Sequence, residues 1–177
     1  MIQGVWAHNT HIGDARYTDM AEDKMVNIGQ LVCEYAGDEK SALVGFGTYQ
    51  GTVIAAKEWG EKMQRMHVPP AVDGSWDRLI HELGEGHDRL LLFDNDTEEG
   101  IAGKLLTEET RNKRRGQRAI GVVYNPEYER FGNYVPTDLT KRYDAFLYID
   151  NTHALHPLHM PEVKEDEDLP ETFPTGL

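Results

Sequence analysis

The sequence predicts an α/β fold, with a central mixed, largely buried β-sheet and flanking helices. Three observations point to it: short apolar runs recur along the chain, stretches with helical spacing lie between them, and glycines or capping residues stand at the junctions.

The apolar runs are residues 5–7, 43–46, 52–56, 90–93, 119–124 and 145–149. They are continuous rather than alternating, the pattern of strands covered on both faces. Asn27 can cap a helix whose Ile28, Leu31, Val32 and Tyr35 fall at i, i+3, i+4 and i+7, and Gly37 can end it. Ser75 in the same way precedes Trp76, Leu79, Ile80 and Leu83, with Gly84 as the stop. Thr97 opens a third, less regular pattern through Ile101, Ala102, Leu105 and Leu106. The first strand is expected from Ile2, with a dense polar cluster at its end and almost no chain before it, so residues 1–160 read as an incomplete domain. From Pro161 onward, Glu162, Glu165, Asp166, Glu167, Asp168 and Glu171 crowd a stretch with Pro170 and Pro174. Such a composition cannot bury enough apolar surface to offset its ordering entropy, and a disordered tail is expected over 161–177.

A chain of 177 residues with 39% hydrophobic and 28% charged side chains fits one soluble globular domain and excludes a collagenous or wholly disordered chain. The 31 acidic against 18 basic side chains give a net charge of −13, which repels phosphate and argues against a nucleic-acid partner; a small neutral or cationic ligand fits better. Cys33 is the single cysteine, so no intramolecular disulfide and no CxxC zinc or redox site can form, and a cytoplasmic setting is the simplest expectation. No run approaches the about 18 consecutive apolar residues of a membrane helix, and the N-terminus has no signal-peptide pattern.

The densest chemistry is the segment Trp6-Ala7-His8-Asn9-Thr10-His11-Ile12-Gly13-Asp14-Ala15-Arg16, placed where an apolar strand ends in a glycine-containing turn. In α/β sheets, ligands sit in the crevice beyond the carboxyl ends of strands. A neutral imidazole can accept a proton from water near neutral pH, and a neighbouring carboxylate can orient it, so His8, His11 and Asp14 are the candidate catalytic set. Two histidines and a carboxylate are also a metal-ligand set, and spacing alone does not separate the two uses. The plain alternative makes His8 a strand cap, His11 a solvated loop residue, and Asp14 with Arg16 a weak surface pair.

The run Ala7-His8-Asn9-Thr10-His11-Ile12-Gly13-Asp14 resembles the AHNxHxGD motif of the erythromycin esterase family. Further similarities follow in order at 27–31, 44–53, Trp59, 68–71 with Gly74 and Ser75, 118–124, Glu129, Arg130, Tyr134, 143–145, Ile149 and Asp150, so the likeness spans about residues 2–158. It is to the C-terminal part of the family's proteins. The resemblance implies an α/β esterase, with macrolide resistance among its roles, in which water attacks an ester or macrolactone without a covalent acyl-enzyme and without a cofactor. His8 and His11 would orient water or polarise the carbonyl, while an earlier GExxHG-like segment supplies the general base. That segment is not in this sequence; Gly84-Glu85-Gly86-His87 has the wrong spacing and reads as a solvated loop. The expected partners are therefore a small-molecule ester and an N-terminal half supplied in trans, or a second copy of the chain. A binding module that kept the fold without the reaction is the competing expectation, and a metal-dependent hydrolase the third.

Asn9, Tyr49, Thr52, Arg130 and Tyr134 are the candidate substrate-binding residues. Tyr49 and Thr52, with Trp59, flank a glycine-rich turn expected between two strands, where aromatics bury ligand area and hydroxyls fix orientation. Arg130 offers a planar donor fork to a carboxylate or oxyanion, a structural ion pair being equally expected. His67, His81 and His87 match no ligand pattern, and His153, His156 and His159 read as incidental surface residues. The basic run Arg111, Lys113, Arg114 and Arg115 reads as a solvated loop.

Overall fold

The computed structural model describes residues 3–93, 99–105, 107, 110 and 113–155. Along the chain run α1 (Asn9–Ile12), α2 (Ile28–Ala36), β1 (Val44–Ala55), β2 (Gln64–Val68), α3 (Trp76–Leu83), β3 (Arg89–Leu92), α4 (Gly100–Leu105), β4 (Arg115–Arg118), α5 (Glu129–Gly132), β5 (Tyr134–Thr137), α6 (Leu139–Arg142) and β6 (Ala145–Thr152). Four strands form a mixed sheet in the order β2-β1-β6-β3, and β4 and β5 make a separate antiparallel ribbon. β1 and β6 are parallel, from Val44↔Ala145 to Gly51↔Thr152, while β2 and β3 pair antiparallel on the outside. The fold is the mixed α/β arrangement the sequence predicts.

The two most regular helices start and stop where their caps lie. Asn27 accepts from the Gln30 N–H and Ser75 from the Arg78 N–H, and Gly37, at φ 86, closes α2. Pairing register fixes which face each strand residue serves. Gly45 and Gly47 of β1 stand opposite Phe146 and Tyr148 of β6, and Leu91 of β3 stands opposite Phe146. This face is roofed by α3, and Trp76, Ile80 and Phe146 are fully buried there. The two glycines matter for space: a Cβ at Gly45 or Gly47 would meet the Phe146 ring at 2.8 or 2.5 Å, so the ring packs directly on the strand backbone. Full burial of each such side chain contributes roughly 1.5–3 kcal/mol.

Side chains one residue out of phase face the other way. Val44, Phe46 and Thr48, Leu147 and Ile149, and Leu90 and Leu92 share the second face, where Leu90 is 59% and Leu92 55% exposed. Continuous apolar runs predict cover on both faces; among the described residues, cover lies on one.

Four expected strands are revised. The runs 43–46 and 52–56 are not two strands around a turn; all but their outer residues, Leu43 and Ala56, belong to one 12-residue strand. Gly51, at φ 139, lies within it, and a Cβ there would overlap the Thr152 carbonyl oxygen at 2.0 Å, so this glycine admits a close neighbouring strand rather than reversing the chain. Residues 5–7 are not in a strand; Trp6 is 87% exposed and rests only its edge on Phe46, at 5.4 Å between ring centroids. Residues 119–124 are irregular apart from a single bridge between Ala56 and Val123, and the paired strand lies just before them at Arg115–Arg118. The Thr97 cap, the tail from Pro161, and His156, His159 and Arg111 lie outside the described residues. The 84–87 segment is a turn, with Glu85 and His87 exposed.

Candidate active site

The histidine turn is assembled from hydrogen bonds that reach across the chain. His8 caps α1: its Nδ1 accepts from the Thr10 N–H at 3.3 Å and lies 2.9 Å from Thr10 Oγ1. Its Nε2 lies 2.8 Å from the Ile120 carbonyl oxygen. A carbonyl can only accept, so Nε2 carries the proton and Nδ1 presents its lone pair, which fixes the neutral tautomer. His11 follows on the exposed side of the turn, its ring 6.4 Å from that of His8.

Asn9 holds the turn to the sheet. Its amide nitrogen donates to the Phe46 carbonyl and its amide oxygen accepts from the Phe46 N–H at 3.1 Å, so one side chain satisfies a strand residue as a neighbouring strand would. Asn27 secures the other end, donating to the Thr10 and Gly13 carbonyls at 2.8 and 2.6 Å while its oxygen caps α2. Gly29 lets α2 come this close, since a Cβ there would sit 2.2 Å from the Ile12 carbonyl oxygen. Gly13 is buried against Arg142 and Tyr143, which a Cβ would strike at 2.5 and 2.7 Å. Much of the motif is thus a frame around its two histidines.

Asp14 is part of the frame too. Its carboxylate caps the following 3-10 turn and is gripped by the Arg16 guanidinium through contacts of 2.6–3.0 Å, rather than facing either imidazole. The alternative use of His8, His11 and Asp14 as three metal ligands is therefore not supported by this arrangement. Among the described residues, no three His, Cys, Asp or Glu side chains come together in a group that could hold a metal.

Beside the turn runs a groove of about 640 Å³, with His8, Asn9 and Trp6 at one side, Phe46, Ile120 and Ile149 as apolar wall, and His153 and Leu155 at the far side. Thr52 lines it, though its hydroxyl oxygen accepts from the Ala154 N–H at 2.9 Å. Tyr49 does not share the groove with Thr52, because three positions of continuous strand separate them and put them on opposite faces. Tyr49 is buried under α3; its hydroxyl accepts from Arg78 at 2.8 Å and its ring stacks on His81 at 3.6 Å. Tyr134 accepts from the Val72 N–H at 3.1 Å, and burial pushes its phenol up to about 12. Arg130 is exposed on α5.

Three buried or half-buried groups near the groove are not among the candidate site residues, although Arg118, Glu129 and Asp150 fall within the family resemblance. Arg118, buried, forms an ion pair with buried Glu129 and donates to the carbonyls of Thr48, Tyr49 and Pro69. Asp77 is fully buried with one oxygen accepting from the Arg118 N–H at 2.8 Å and the other without a partner; burial pushes its carboxyl up to about 6. His81 donates through Nδ1 to the Asp150 carboxylate at 2.7 Å. No periodicity marks any of these, since each depends on contacts between distant segments.

A four-stranded mixed sheet roofed by helices, with a histidine-bearing turn at the mouth of an apolar groove, defines a mixed α/β protein. The family model for erythromycin esterase matches residues 4–152, and the chain belongs to that family. Among solved structures, a Bacillus cereus protein matches with a TM-score of 0.63 at 16% identity, over 84% of this chain and 33% of its own. A succinoglycan biosynthesis protein matches with a TM-score of 0.59 at 26% identity, over 84% of this chain and 33% of its own. An erythromycin esterase in its open conformation matches at 15% identity with a TM-score of 0.48, over 82% of this chain and 31% of its own. The chain therefore spans about a third of the length of the structures it matches. Among the described residues, no helix is long and apolar enough to cross a membrane.

Proposed function

We propose that the chain contributes the histidine side of an ester hydrolase site, acting on an ester or macrolactone by attack of water. The observation that carries this reading is the His8 turn: a neutral imidazole of fixed tautomer and a second imidazole at 6.4 Å, held beside an apolar groove large enough for a small-molecule ester. In this reading the His8 and His11 rings orient water and stabilise developing charge, Asn9 holds the turn in place, and Thr52 lines the bound ester. Tyr49 and Tyr134 support the groove from behind, and Arg130 is the proposed contact for the substrate's polar end. Asp14 acts through the turn it caps. Among the described residues the His8 ring is bonded to Thr10 and Ile120 rather than to a carboxylate. The base is therefore supplied by a second polypeptide segment, in cis or in trans, seated on the open face that carries Leu90, Leu92, Leu147 and Ile149. The single, buried Cys33 supports a cytoplasmic setting.

With the base-bearing segment supplied by fusion or co-expression, the test is release of acid from a panel of aryl esters and lactones, followed by titration, with intact-mass analysis of the protein during turnover. Hydrolysis that His8→Ala abolishes, with no acyl adduct, is the expected result. A mass increase equal to the acyl group would overturn the direct attack of water. One observation favours a second reading, a ligand-binding module without turnover: both ring nitrogens of His8 and both amide atoms of Asn9 are already engaged. Saturable binding of an ester that is recovered unchanged would establish that reading instead.

A further inference from the structure

Among the described residues two arginines are buried, and they are held in opposite ways. Arg118 has a buried carboxylate, Glu129, as its partner. Arg142 is 1% exposed and, among the described residues, has no carboxylate in an ion pair with it. Its fork is spent on neutral acceptors: Nη1 donates to Gln117 Oε1 at 3.1 Å and Thr137 Oγ1 at 3.0 Å, and Nη2 to the Asn9 carbonyl at 3.1 Å. Its Nε is buried without any partner, covered by Gly13, where a Cβ would approach to 2.5 Å. The guanidinium also lies over the Tyr143 ring at 5.3 Å, and the Tyr143 hydroxyl reaches the same Asn9 carbonyl at 3.4 Å.

A buried cation with no carboxylate in contact is costly, and an apolar side chain of similar size is often as stable or more so at such a place. What the guanidinium supplies here, and neither Met nor Lys can, is a planar fork that ties the turn to β4, β5 and α6 at once. The Asn9 carbonyl is the acceptor that closes the turn, since Gly13 N–H also donates to it at 3.0 Å. Asn9 lies between His8 and the helical residues leading to His11. We propose that Arg142 is the positioning residue of the histidine turn: it fixes the Asn9 carbonyl, and through it the placing of His8 and His11 against the groove. This inference rests on the hydrolase reading above and adds to it a residue that touches neither substrate nor imidazole.

Arg142→Met and Arg142→Lys test it by two readouts, ester turnover and amide hydrogen exchange. Arg142→Met is expected to melt close to the wild type, yet to exchange the Gly13 and Ile12 amides faster while the Phe146 amide stays protected. Its kcat should fall about 100-fold with KM little changed, the size of loss that a misplacement of about 1 Å produces. Arg142→Lys keeps the charge but not the fork, and should fail in the same way. A Lys variant with wild-type kcat would overturn the proposal in favour of charge alone. A Met variant with wild-type kcat per folded molecule and a protected Gly13 amide would overturn it altogether. If the wild-type protein turns over no ester even with the base-bearing segment supplied by fusion or co-expression, the hydrolase reading fails on that result, and the exchange of Gly13 against Phe146 still decides whether Arg142 holds the turn.

Discussion

Replacing Asp77 by Asn removes a carboxyl that the fold buries completely at the first turn of α3. Only one of its oxygens has a hydrogen-bond donor, the Arg118 N–H, and burial raises its pKa from 3.8 to about 6. The folded protein therefore holds this proton more tightly than the unfolded chain. Below the unfolded value the group is neutral in both states and costs nothing. As pH rises through the window from 3.8 to about 6 the unfolded chain binds fewer protons, stability falls, and above the folded value the loss is complete. Each tenfold gain in proton affinity on folding is worth about 1.4 kcal/mol, so the full loss is roughly 3 kcal/mol, of which about 2 kcal/mol accrues between about pH 4.5 and about pH 7.5. Asn has no proton to lose, and its unpaired amide costs about 1–3 kcal/mol at every pH. Urea unfolding of both proteins across that range should show the variant gaining about 2 kcal/mol on the wild type as pH rises. A difference that stays constant with pH would refute the assignment of Asp77 as a buried, reluctantly ionised carboxyl.

Asn27→Ala removes a helix cap and two bonds to the histidine turn, and should cost about 2–4 kcal/mol in urea unfolding; a loss confined to that of a cap alone, about 1 kcal/mol, would show that the turn does not depend on it. Glu129→Gln strands the buried Arg118 guanidinium and should cost about 3–5 kcal/mol in the same assay, whereas a change within experimental error would show that the neutral carbonyls suffice. Leu90→Glu adds charge to the open sheet face at a position already 59% exposed, so it should lower self-association in sedimentation velocity while leaving the melting temperature nearly unchanged. A wild-type chain that stays monomeric at high concentration, with a cooperative melt, would show that this face needs no covering partner.

The helices over Ile28–Ala36 and Trp76–Leu83 are legible in the sequence because their determinants are local: a cap, an apolar stripe and a glycine within a few positions. β1 reads as two strands because glycine in a sequence signals reversal, whereas here Gly45, Gly47 and Gly51 serve the close approach of Phe146 and Thr152. β2 and β4 carry too many polar residues to stand out, β5 is four residues long and contains Pro136, and the apolar run 119–124 stands out without being a strand. The Ala7–Asp14 cluster is visible as chemistry, but its division into two imidazoles and a frame is not. That division rests on contacts such as Asn9 with Phe46, 37 positions apart, and Asn9 with Arg142, 133 apart, which no window of sequence contains.

The central claim is that His8 belongs to the chemistry of an ester hydrolase site rather than to its packing. The measurement that tests it most directly is kcat of His8→Ala against the wild type on one hydrolysed ester, with the base-bearing segment supplied by fusion or co-expression and each value corrected for the folded fraction. The account predicts a fall of roughly 10²–10⁴-fold, with KM and melting temperature changed far less. Turnover per folded molecule equal to that of the wild type, accompanied by a lowered melting temperature, would contradict it and leave His8 as the cap of a short helix.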